Sequence, residues 1–471
     1  MIYLYTTLCY PFLLALVGLY FSFKVKNRED FMVAGRKLTA PVLVATLLAT
    51  WIGSGDIFSV SDLSYHHGYS SLIGSAGGWA AIVIVFFIAG RVRRFGQFTV
   101  PDILETRYNK WARLLATITT IIAYVTIVSY QLRGGGWLLN IISDGKVSVD
   151  LAVIIVTVFV IFTTMSAGML SLAYIDMING VMILAGVFLA LPFLYVYAGG
   201  YAQIAANVTP RAHPFLGNMT GLMALGYFIP TFLLALGNGN MYQRFYSAKN
   251  EREAKKSVIG WVGGAILIGV ALQTLAVIGS SCFKGLDKIS AGKIILIVAH
   301  EGLPTAVGCV LMAAIVAIII STANSFLLVP ATNIMRDVYQ RFVNPSLSDK
   351  KVVLYSRFVV IFLGAAAYAL IQFFPRILDA AYAAYTVYGA GLTPALMASF
   401  FWKRATAAGG VSSILGGMSV TLIWEIMKKL SGAHPFGIPA IYPALICSVT
   451  LLVVVSLLTP RPPEDKWRPF V

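Results

Sequence analysis

Five consecutive residues, Ser321-Thr322-Ala323-Asn324-Ser325, place four oxygen-bearing side chains directly after the apolar run from Ile315 to Ile320. Hydroxyl and amide oxygens are hard donors. A small hard cation needs several of them converging on one point, with half-helix ends or freed backbone carbonyls supplying the rest. The competing reading is local: a Ser or Thr in an apolar helix bonds the carbonyl four residues back and does nothing more. Two other stretches favour the cation. Trp51-Ile52-Gly53-Ser54-Gly55, and Pro230 through Gly237-Asn238-Gly239-Asn240, interrupt apolar runs with residues that spanning helices ordinarily avoid. Unwound backbone at such depth has carbonyls to satisfy, and it persists where it lines a cavity or holds an ion.

Two acids sit in equally apolar surroundings. Asp56 lies just beyond the first interruption, where an isolated charge is costly; a substrate amine, a proton, or a structural hydrogen bond to the unwound backbone would each relieve it. Asp176 stands inside another apolar run. Asp62 and the pair His66-His67 lie nearer the end of their run and are expected to be solvated. Arg133 is expected to snorkel outward or to attract an anionic group. Cys9, Cys282, Cys309 and Cys447 form no C-x-x-C pair, so they read as packing residues. No nucleophile–base pair or metal-ligand cluster appears at catalytic spacing, which leaves an enzyme without support.

The elements that must position these groups follow from composition. Apolar residues make up 58% of the 471, charged ones 11%, and mean hydropathy is +0.82, whereas soluble chains carry about 25% charged residues. The chain is therefore an all-α integral membrane protein. Thirteen apolar runs of near-spanning length begin at roughly 3, 38, 70, 111, 149, 171, 219, 258, 306, 352, 378, 405 and 438. Of 35 Lys and Arg, 25 fall in connections on one side, including Lys24, Lys26, Arg28, Arg36 and Lys37. That side is predicted to be cytoplasmic, with the N-terminus outside and the C-terminus inside the plasma (inner) membrane. The net charge of +16 is then topological, and no nucleic-acid partner is expected. Basic residues follow the first run instead of preceding it, so it reads as a retained helix, not a signal. The last dozen residues read as a short cytoplasmic end. Glycines such as Gly263, Gly264, Gly269, Gly416 and Gly417 are expected to let helices approach closely. The two interrupted runs are five apart and hence antiparallel, the pattern of inverted-topology repeats.

Five blocks in order, ATWIGSGDIFSVSDLSYHHG, GQFTVPDILETRY, GMLSLAYIDMINGVMI, MYQRFYSAKNEREAKKS and AAIVAIIISTANSFLLVPATNIMRDVY, together resemble the sodium:solute symporter family, whose members move proline, galactose, sialic acid or choline. The resemblance implies 13 transmembrane helices. A five-plus-five inverted repeat would have broken first and sixth core helices, over residues 38–198 and 219–402. Residues 1–37 would be an accessory helix and cytoplasmic loop, and 403–471 two accessory helices and a tail. It implies a sodium ion held by backbone carbonyls of Ala49, Ile52 and Ile318 and by the hydroxyls of Ser321 and Thr322. Some members hold a second sodium at positions matching Asp176, Ser321, Asn324 and Ser325; here Asn324 replaces a hydroxyl with an amide oxygen, which still ligates sodium.

For the solute, the family's sugar-binding positions do not match: Asp56 replaces an amide, and Thr231 and Leu234 replace an Asn/Tyr gate. Trp51 matches one tryptophan of a choline cage, whereas Asn238 stands at the other. Trp51, Asp56, Ser75, Thr231 and Asn238 are the candidate solute contacts. The expected function is sodium-coupled symport of a small polar organic solute, an amino acid or another amine-bearing molecule being favoured, by alternating access. The alternative is a transporter-like membrane sensor acting with a separate signalling partner. The expected partners are the solute and the lipid bilayer, with no obligatory protein partner.

Overall fold

The computed structural model describes residues 2–22, 28–166, 168–208 and 215–470; Lys24 and Lys26 of the first basic cluster lie outside them. Among the described residues the chain is nearly all helix. The main helices are α1 (Ile2–Ser22), α2 (Ala40–Trp51), α3 (Val60–His67), α4 (Leu72–Phe95), α5 (Lys110–Ile142), α6 (Val149–Ser166), α7 (Met169–Tyr197), α8 (Gly221–Gly237), α9 (Gly239–Ser247), α10 (Glu251–Cys282), α11 (Thr305–Asn333), α12 (Asp349–Leu370), α13 (Ile377–Gly391), α14 (Thr393–Phe401), α15 (Ala407–Ser431) and α16 (Ile441–Leu458).

Eleven helical stretches among the described residues are long and apolar enough to cross a membrane, against thirteen expected. The difference lies in two expected spans that are not continuous. The second stops after the 12 residues of α2 and resumes through a widened turn, Gly55–Ser59, into α3. The eleventh divides into α13 and α14 at Leu392, with Pro394 in the first turn of α14; the proline ring has no N–H to continue the ladder. The chain is a multi-pass membrane protein, and Phe12, Phe87, Val158, Phe362 and Leu458 face outward as lipid would require.

One helix is enclosed on all sides. Every residue of α11 from Leu311 to Asn333 is buried, and it packs against α1, α5 and α7. A helix that is apolar all round is a core helix, so the hydroxyl cluster at 321–325 sits in the buried interior. The two broken helices meet in turn. Leu38 N–H donates to Ser247 O at 3.0 Å and Leu38 O accepts from Lys249 N at 2.8 Å, tying the start of α2 to the end of α9. Close packing at Gly264 on Leu48, Gly269 on Trp79, Gly416 on Leu451 and Gly417 on Ala390 matches the expectation for small residues, but none of the described residues approaches Gly263.

Candidate functional site

The break after Trp51 is a change of hydrogen-bond partners. The last helical bond of α2 runs from Ile52 N to Leu48 O at 3.0 Å. In a continuous helix Gly53 N–H would close on Ala49 O and Ser54 N–H on Thr50 O. Instead Gly53 N–H donates to Asp56 Oδ2 at 2.9 Å, and Ser54 N–H to Gln131 Oε1 on α5 at 2.9 Å. Ala49 O is thereby released. Glycine is needed for the approach: a Cβ at Gly53 would lie 2.8 Å from Gln131 Nε2, and one at Gly55 2.5 Å from the Tyr385 hydroxyl.

The hydroxyl of Thr322 on α11 faces the opened segment, 3.0 Å from Ile52 O and 3.5 Å from Ala49 O. Ile318 is buried one turn earlier on the same helix. Ser321 Oγ donates to Asp176 Oδ1 at 2.5 Å, which leaves its lone pairs for another partner. Ala49, Ile52 and Thr322 are thus brought together, while Ser321, next to Thr322 on α11, turns to Asp176.

Asp176 on α7 is fully buried. Its Oδ2 accepts from Thr46 Oγ1 at 2.5 Å and from Arg244 Nη2 at 3.2 Å. Ser325 Oγ accepts from the same Nη2 at 2.9 Å. Asn324 turns elsewhere: its Oδ1 accepts from Thr163 at 3.0 Å and Thr164 at 2.8 Å on α6. Of the four residues expected for a second ion, Asp176 and Ser325 meet the Arg244 guanidinium, Ser321 joins them through Asp176, and Asn324 does not.

The second break differs from the first. Tyr388 hydroxyl donates to Gly237 O at 2.8 Å and accepts from Gly239 N at 2.9 Å, while Tyr242 hydroxyl donates to Leu236 O at 3.1 Å. Asn238 Oδ1 accepts from Asn240 N at 3.0 Å and Tyr124 hydroxyl at 2.9 Å. Side chains satisfy the unwound backbone here, whereas beside α2 the carbonyls meet a single hydroxyl.

A narrow cavity of about 60 Å³ lies against the first break, lined among others by Trp51, Asp56, Gln131, Trp79, Tyr130 and Tyr385. Ser75, Thr231 and Asn238 line it too, with part of their capacity spent. Ser75 Oγ accepts from Gln273 Nε2 at 2.9 Å, and Thr231 Oγ1 donates to Gly74 O at 2.6 Å. Trp51 stands edge-on to Trp261, ring centres 5.7 Å apart, so its aromatic neighbour comes from α10. Sequence reasoning missed Gln131, whose Nε2 is buried with no hydrogen-bond partner among the described residues. The available signal was an amide within the apolar run of α5, next to Tyr130.

Above this cavity a vestibule of about 800 Å³ opens, lined by Asp62, His66, His67, Arg376, Asp379 and Lys428 among others. Leu63 and Tyr382 line both spaces. The expectation that Asp62 is solvated does not hold: it is 4% exposed, and Arg376 Nη2 donates to it at 2.6 Å. Arg133 is held by Ile371 O at 2.6 Å and does not line the vestibule. Beyond the end of α11 lies a largely buried ionic cluster. Arg113 pairs with Asp102 and Glu105 and, at 2.6 Å, with Asp337. Thr99 Oγ1 also donates to Asp337 Oδ1 at 2.9 Å, and Arg341 reaches Glu105 at 2.5 Å. Burial works to raise the Glu105 carboxyl, but its bonds to Arg113 and Arg341 outweigh that and hold it below the usual range.

The sodium:solute symporter family model matches residues 31–417. The chain belongs to that family. Proline transporters resemble it along nearly their whole length. It is 24% identical to the osmoregulated proline transporter OpuE of Bacillus subtilis, over 97% of this chain and 94% of that one. With a sodium/proline symporter of Staphylococcus aureus the figures are 27%, 96% and 92%. Among solved structures, a substrate-bound, outward-open Na+-coupled sialic acid symporter shares the fold at TM-score 0.82 and 17% identity, covering 98% of both chains. The nucleobase-cation-symport-1 transporter Mhp1 follows at 0.64 and 12%, covering 94% of this chain and 99% of its own. The chain is a transporter, not an enzyme, with sodium as the coupling ion its family implies.

Proposed function

We propose that this symporter uses one inward-moving sodium ion to carry a zwitterionic amino acid, with L-proline the first candidate, across the plasma membrane by alternating access. The observation that carries the reading is the meeting of two freed carbonyls, Ala49 and Ile52, with the Thr322 hydroxyl. The Ile318 carbonyl and Ser321 hydroxyl complete a set of hard oxygens suited to a small cation. The proline transporters among the relatives support the solute class, as does the mixture of Asp56 with amide and hydroxyl groups around the cavity. In this reading the solute amine neutralises Asp56. Gln131 Nε2 and the Tyr130 and Tyr385 hydroxyls offer hydrogen bonds to its carboxylate.

The repeats proposed are residues 38–198 and 219–402, with the N-terminus outside and the C-terminus cytoplasmic. The vestibule then faces outward, and the Arg113 cluster closes the cytoplasmic end. A tenfold sodium gradient supplies about 1.4 kcal/mol, and about 100 mV adds about 2.3 kcal/mol per charge. Together they support accumulation of a neutral solute by several hundredfold.

Uptake of radiolabelled L-proline into proteoliposomes under an inward sodium gradient, with other amino acids, amines, sugars and carboxylates as competitors, tests the proposal. Sodium-dependent uptake competed by zwitterions is expected. Uptake indifferent to sodium, or competed only by sugars or plain carboxylates, overturns it.

A further inference from the structure

The acid–hydroxyl group formed by Asp176, Ser321, Ser325, Thr46 and Thr50 has the composition of a cation site in the buried interior, and it already contains a cation. Arg244, one turn beyond the second break, is fully buried. All three of its guanidinium nitrogens have acceptors. Nε donates to Thr46 O at 3.2 Å and Thr46 Oγ1 at 3.0 Å. Nη1 donates to Asn240 O at 3.2 Å. Nη2 donates to Thr50 Oγ1, to Ser325 Oγ at 2.9 Å and to Asp176 Oδ2 at 3.2 Å.

Resting on the sodium-coupled reading above, we propose that Arg244 is a tethered cation filling this second position, so that a single sodium ion binds, beside Thr322. Two physical arguments converge. The hydroxyls of Thr46, Thr50 and Ser325 direct lone pairs at the guanidinium, and Asn324 bonds to α6, so the oxygens a sodium would require are already engaged. Charge gives the second argument: Asp176 and Arg244 neutralise each other, and a sodium ion added between them would leave a net positive charge away from water. Arg244 comes from the broken sixth core helix while its partners lie on α2, α7 and α11. It therefore supplies the bridge between these elements that a second ion would otherwise make. Asp176 keeps a separate task, orienting Ser321 towards the first ion as an outer partner.

Equilibrium binding of ²²Na+ to the purified full-length chain, without solute, tests the proposal. One sodium per chain is expected in the parent, lost in Thr322→Ala. Arg244→Gln opens the second position and should raise the count to two. If Arg244→Gln is not recovered folded, the parent count decides, and the charge-neutral Asp176→Asn/Arg244→Gln variant should fold and bind one. Two sodium ions in the parent, or one in folded Arg244→Gln, overturns the tethered-cation assignment alone. No sodium in the parent instead overturns the sodium coupling on which it rests.

Discussion

The carboxylate of Asp56 takes the N–H of Gly53 at 2.9 Å, and in doing so it unties the carbonyl of Ala49 four residues earlier. One side chain thus both holds the break open and brings charge to the cavity. The two tasks separate by mutation. Asp56→Asn keeps an acceptor for Gly53 N–H and should abolish uptake of an amine-bearing solute while sparing ²²Na+ binding. Asp56→Leu removes the acceptor as well and should weaken sodium binding by about tenfold, a loss of about 1.4 kcal/mol. Normal transport by Asp56→Asn would end the amine assignment.

Ser321→Ala/Thr322→Ala removes two of the oxygens proposed for the ion. The sodium concentration for half-maximal uptake should rise by more than about tenfold, with the protein still monodisperse in detergent. An unchanged sodium dependence removes both hydroxyls from the site.

Asp176→Asn should raise the sodium concentration for half-maximal uptake through Ser321, with the charge moved per solute unchanged. A fall in that charge ratio would mean that Asp176 belongs to an ion of its own.

Tyr388 satisfies Gly237 O and Gly239 N at the second break. Tyr388→Phe leaves both without that partner in a buried setting, and each orphaned group costs about 1–3 kcal/mol. A lower melting temperature in detergent is the expected readout, with sodium affinity changed less than in Thr322→Ala.

Arg113→Gln should loosen the closed end, so that a cysteine at buried Asn333 (Asn333→Cys) reacts faster with a water-soluble maleimide than in the parent background. The Glu105 carboxyl is depressed, so its contribution is fully present above the ordinary carboxylate value and is lost only as pH falls through the lower folded value. The Glu105 pairs with Arg113 and Arg341 should accordingly persist at neutral and mildly acidic pH.

Membrane class, the two interruptions, the hydroxyl cluster on α11 and the family blocks were all legible in the sequence, because each is a local property: hydropathy over a span, Gly and Asn within an apolar run, adjacent side chains on one turn. The partners of those groups were not. Arg244 and Asp176 are 68 residues apart, Asp62 and Arg376 314 apart, Ser54 and Gln131 77 apart. Helix periodicity assigns a residue to a face but cannot say which distant side chain covers that face. Asp56 was legible as a costly buried charge, with a hydrogen bond to the unwound backbone among the reliefs open to it, and the fold names Gly53 N–H as that donor. The sequence alone therefore determined which groups must be satisfied. Tertiary packing decided what satisfies each of them, because a buried charge or an unwound carbonyl is indifferent to where in the chain its partner lies.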